Sequence, residues 1–89
     1  MIKAVSIEVF GRVQGVGFRY YAQKKALELQ LNGFVKNMPS GSVIIEAEGD
    51  EEALEQFLLW CHKGPSWARV QEVKHYFMPP YNYTKFEIR

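Results

Sequence analysis

What most constrains this chain is the order in which its apolar residues change period, from every second residue to a helical stripe and back. Residues 4–10 (AVSIEVF) put Val5, Ile7 and Val9 on one face and Ser6 and Glu8 on the other, as in a half-buried strand. Gly11, Gly15 and Gly17 then interrupt the alternation. From about Arg19 a helical stripe of Ala22, Ala26 and Leu29 follows, flanked by Tyr20, Leu27 and Leu31. Asn32-Gly33 reads as its stop, because both residues tolerate the left-handed conformation. Runs at Phe34–Met38 and Ser42–Glu48 form a hairpin about the Met38-Pro39-Ser40-Gly41 turn, with Val43, Ile45 and Ala47 inward. Asp50 caps a second helix with Ala53, Leu54, Phe57, Leu58 and Cys61 on its stripe, and Lys63-Gly64-Pro65 ends it. A fourth strand lies within Arg69–Phe77, its alternation broken between Val70 and Val73. The last run, Thr84–Ile88, turns Thr84, Phe86 and Ile88 inward. Pro79-Pro80 separates these two runs and leaves open whether they are one bent edge segment or two strands.

The order β-α-β-β-α-β predicts an α+β fold of the ferredoxin-like kind, an antiparallel sheet with two helices on one face. At 89 residues, one domain spanning 1–89 is expected. A hydrophobic content of 47% excludes a disordered tail. No apolar run approaches the roughly 20 residues of a membrane span. MIKAVSIEVF alternates and lacks the apolar centre of a secretory leader, so a soluble, cytoplasmic, monomeric protein is expected. A net charge of +1 leaves no electrostatic footprint for nucleic acid. The single cysteine, Cys61, fits a reducing compartment and reads as a small core residue.

Three glycines between a strand and a helix start let backbone amides turn toward one point, where the helix adds unpaired N–H groups. Such a nest suits an anion, and Arg19 brings a fork that matches phosphate or carboxylate. A plain flexible turn with a solvated arginine is the competing reading. Named phosphate motifs do not fit: no Lys followed by Ser or Thr closes the loop, and Tyr20 stands where GxGxxG needs its third glycine. Val13 occupies the place of a thiol phosphatase's cysteine, so no covalent nucleophile is available and water must attack.

The segment GRVQGVGFR (Gly11 to Arg19) resembles the first signature of the acylphosphatase family. GFVKNMPSGSVIIEAEG (Gly33 to Gly49) resembles the second, with Gly33, Asn37, Gly41, Val43 and Gly49 in register. The likeness continues through Gly64-Pro65 and Phe86–Ile88, and its fold is the sandwich already expected. It implies hydrolysis of an acyl phosphate to a carboxylate and inorganic phosphate. Arg19 would bind the phosphoryl group and Asn37 would position the attacking water. The backbone of Gly11, Arg12, Val13, Gln14, Gly15, Val16 and Gly17 would hold the phosphoryl oxygens. Ser42 falls where the family often has a threonine hydroxyl and is a secondary candidate. Met38 departs from the hydroxyl residue many members carry beside the asparagine.

The chemistry asks for little more. A carboxylate leaving group, whose acid has a pKa of about 4, needs no general acid. No cofactor is implied, and His62, His75 and the acidic residues show no metal-ligand spacing. The acidic series from Glu46 to Glu55 reads as solvated surface and helix capping. Trp60, Trp67, Tyr76, Phe77, Tyr81 and Tyr83 read as core and edge packing. Two other functions compete: a non-catalytic acylphosphatase-like module, and an RRM-like RNA binder suggested by GVGFRYY. RNA binding would need aromatics on the third strand, and SVIIEAE has none.

Overall fold

In the computed structural model, which describes residues 1–89, strand β1 (Ile2–Arg12) is an interior strand of a five-stranded sheet. Helix α1 (Phe18–Glu28), hairpin strands β2 (Asn32–Asn37) and β3 (Val43–Asp50), helix α2 (Glu51–Lys63) and strands β4 (Arg69–Met78) and β5 (Phe86–Ile88) follow. The sheet order is β4-β1-β3-β2-β5. Helix α1 lies over β2 and β5, and α2 over β1, β3 and β4. The ferredoxin-like sandwich is therefore present, with one correction: β5 pairs parallel to β2, so the sheet is mixed. The last two runs are separate strands at opposite edges, joined by residues 79–85.

The expected inward residues of β1 and β3 are buried, together with Val35, Phe18, Ala22, Ala26, Leu54, Phe57, Cys61 and Phe86. Burying each large side chain contributes about 1.5–3 kcal/mol. Phe57 is a keystone, its ring meeting Trp60 at 6.0 Å and Phe86 at 6.2 Å. Of the C-terminal run only Phe86 is buried, while Thr84 and Ile88 are exposed. The aromatic expectation also needs correcting, because Trp67, Tyr76, Phe77 and Tyr81 are exposed. The broken alternation in β4 has a cause: the β1–β4 register shifts between Phe10 and Gly11, and the bulge lets Val70 and Val73 both pack against the core.

Helix α1 stops before the expected Asn32-Gly33. Gln30 takes the left-handed turn at φ 58°, with its N–H donating to Leu27 O and that of Leu31 to Ala26 O, a Schellman closure. Gly33 instead belongs to β2, where a Cβ would strike the carbonyl of Glu46. Helix α2 matches its caps, the Asp50 carboxylate accepting from Glu52 N–H at 3.2 Å and Gly64 donating to Trp60 O.

The face away from the helices is crossed by residues 79–85. Glu48 is buried and accepts from the amides of Tyr81 and Asn82. The Tyr83 hydroxyl donates to Glu46, and Asn32 donates to Tyr83 O. Glu8, Glu46 and Glu48 thus occupy the face that an RRM would offer to RNA, which argues against that reading.

Candidate active site

The loop between β1 and α1 is held from both sides. Val13 is buried in the core, and the Gln14 carboxamide donates to Met38 O at 2.7 Å and Ser42 O at 2.9 Å, tying the loop to the β2–β3 turn. Phe18, the first residue of α1, is buried against Trp60 at 5.3 Å. Between these anchors Gly15 and Gly17 take φ values of 74° and 80°, which favour glycine. Gly17 is also the N-cap of α1, with no side-chain capping bond and no acidic residue in the first turn. The first amides of the helix are therefore left for an external acceptor.

A cleft of about 230 Å³ opens at this point, lined by Val13, Gly15, Gly17, Phe18, Arg19 and Asn37. Tyr20 and Ile88 complete its rim. Arg19 is half-buried, and its Nη1 donates to the main-chain oxygen of Arg89 at 3.1 Å. Arg89 is itself held by donating its N–H to Val35 O at 2.8 Å. The fork of Arg19 is thereby held beside the helix start. Asn37 ends β2 on the same face as Val35, and its Oδ1 is buried without a hydrogen-bond partner in the protein. A buried acceptor left unpaired costs about 1–3 kcal/mol, so its place on the wall of a cleft shared with Arg19 points to a donor such as water. Across the whole chain no three His, Cys, Asp or Glu residues gather to hold a metal ion. The polar groups the cleft presents are main-chain amides, a guanidinium and a carboxamide.

Not every expected residue reaches this cleft. Gly11 and Arg12 lie within β1, and Gly11 serves the approach of β4, since a Cβ there would meet the backbone of Arg69 and Gln71. Neither they, Gln14 nor Val16 line the cleft. Ser42 is turned to the opposite face, where its hydroxyl donates to Glu8 at 2.6 Å and meets Ser40 Oγ at 3.2 Å. Its carbonyl, by accepting from Gln14 and from Met38 N–H, braces the loop instead. Met38 contributes backbone to the same brace and does not line the cleft. Arg89 was not anticipated; no local pattern reveals it, because the parallel β2–β5 pairing delivers it from the far end of the chain.

A family model described as Acylphosphatase matches residues 5–88. The chain belongs to the acylphosphatase family. It is 49% identical over 81 residues to an acylphosphatase of Moorella thermoacetica, covering 91% of this chain and 87% of that one. The crystal structure of the acylphosphatase from Bacillus subtilis superposes with a TM-score of 0.95 at 38% identity, covering 100% of this chain and 99% of that one. The T. kodakarensis HypF structure has a TM-score of 0.81 at 39% identity, covering 97% of this chain but 11% of that chain. The acylphosphatase fold thus occurs both at the size of this chain and as a small part of a longer one. No helix is long and apolar enough to cross a membrane.

Proposed function

We propose that this chain hydrolyses acyl phosphates, with the phosphoryl group seated on the amides of the loop and helix start and on the Arg19 guanidinium. Asn37 accepts a hydrogen bond from water and aims its oxygen at phosphorus, opposite the acyl oxygen. The water oxygen bonds to phosphorus, and the bond from phosphorus to the acyl oxygen breaks. Its electron pair leaves with the carboxylate. The water's proton passes to a phosphoryl oxygen, so the products are a carboxylate and dihydrogen phosphate. The carboxamide of Asn37 suits this task because a carboxylate there would repel the phosphoryl dianion. No group in the chain has to protonate the leaving group. The observation that carries the reading is the convergence of Arg19 and the unpaired Asn37 Oδ1 on one cleft at a helix start. The site is completed within one chain, so a monomer is the proposed working unit, and its buried free Cys61 suits the reducing cytoplasm.

Benzoyl phosphate hydrolysis in EDTA tests this. Wild type should turn over without added metal. Arg19→Ala should raise KM and lower kcat together. Asn37→Ala should act mainly on kcat, by about 2–4 kcal/mol if its water is held as an oxyanion donor holds its ligand. Wild-type rates in the Arg19 variant would sink the assignment.

A further inference from the structure

At about 230 Å³ the cleft is smaller than a pocket for a whole drug-sized ligand, so the acyl part of a bound substrate projects beyond it. A second, wider cleft of about 640 Å³ adjoins it, and Gly15 borders both. Arg12 and Arg69 form one side of this second cleft, and Ser66 and Trp67 another. The two arginines are direct cross-strand partners in the β1–β4 ladder, an arrangement in which like charges repel. Neither takes part in any ion pair of the chain. Trp67 is 79% exposed, and its other flank meets a smaller cleft bordered by Tyr21 and Trp60. Two unpaired arginines set on paired strands and lining one cleft are matched by an oxyanion, and an exposed indole on the same cleft offers a surface for an apolar or ring-bearing body.

We propose that this cleft receives a second anionic group on the acyl part of the substrate, so that the chain prefers acyl phosphates whose acyl group carries a carboxylate or phosphate. The phosphoryl end sits at Gly15 to Arg19, the acyl body crosses Gly15 beside Trp67, and the distal oxyanion lies between Arg12 and Arg69. This inference rests on the acyl phosphate reading above.

The test is equilibrium binding of 3- and 4-carboxybenzylphosphonate, each against its methyl ester, by calorimetry at low salt. In wild type at least one acid should bind about fivefold tighter than its ester, as two partly screened ion pairs allow. That preference should shrink toward unity in Arg69→Gln and on raising the salt. Benzylphosphonate with free benzoate should show no mutual enhancement, which separates a tethered anion from a loose one. Equal binding of acid and ester in wild type overturns the proposal, as does a preference that survives in Arg69→Gln or failure of every phosphonate to bind. Phosphonate binding needs no turnover, so loss of benzoyl phosphate hydrolysis alone would sink the acyl phosphate reading while this comparison still decides the cleft.

Discussion

A methyl group added at Gly11 would run into the backbone of Arg69 and Gln71, whereas one added at Gly15 would meet nothing within contact range. Both residues have positive φ, 127° and 74°, yet the physical demand differs. At Gly15 the cost is conformational, about 1–2 kcal/mol for a left-handed alanine. At Gly11 strain in the backbone and a clash with a packed strand add to it. Gly11→Ala should therefore lose about 2–4 kcal/mol in urea unfolding and Gly15→Ala about 1–2; equal losses would show that β4 yields at the bulge. Activity should reverse the ranking, because Gly15 lines the cleft and Gly11 does not. Cys61 offers a third contrast at this scale. Burial pushes its thiol above the ordinary range, so the reactive thiolate is withheld. An aromatic disulfide reagent should label it only on unfolding; fast labelling of the folded chain would mean that α2 opens locally.

At the scale of elements, the end of α1 is set by the chain after it. Gln30 adopts the left-handed conformation although it is not glycine, and the closure succeeds because buried Leu31 follows and Leu31 N–H reaches Ala26 O at 2.8 Å. Gln30→Gly should stabilise the protein by about 1 kcal/mol, read from the urea midpoint; a loss would mean that the glutamine side chain supports the turn. Local patterns could not place this stop. Asn32-Gly33 looked the better terminator, but its glycine serves the close approach of β2 to β3, a tertiary demand that propensity does not see. Both helix stripes and the Val43-Ile45-Ala47 face were legible because burial imposes a period on local sequence. Arg19 was legible as an anion-binding fork at a glycine-rich helix start, and two signatures in correct order gave it a phosphoryl group to hold, whereas Asn37 was legible only through the second signature. The brace from Gln14 to Met38 and Ser42 was not, because it joins backbone oxygens that any residue type would supply.

Across the whole molecule, residues 79–85 carry the chain from one sheet edge to the other and so bring β5 and Arg89 to Arg19. No periodicity in that segment foretells the crossing; the buried carboxylate of Glu48 and the part-buried one of Glu46 receive it. The phenol of Tyr83 is pushed above its usual range, first by burial and then by its hydrogen bond to the Glu46 carboxylate. A raised folded-state value means that the native chain keeps a proton which the unfolded chain gives up above a pH of about 10. The contribution is thus fully present below that pH and is lost progressively above it. Wild-type stability, measured by urea unfolding, should fall on this account as the solution is made alkaline. Tyr83→Phe should be less stable at neutral pH by about 1–2 kcal/mol, the worth of a hydrogen bond to a charged acceptor on a part-buried strap. Its alkaline decline should be shallower, so the two curves converge above a pH of about 10. Parallel curves would mean that the strap is not held by this contact. A Tyr83→Phe variant with weakened phosphate binding would show in addition that the crossing helps set Arg89, and through it the guanidinium of Arg19.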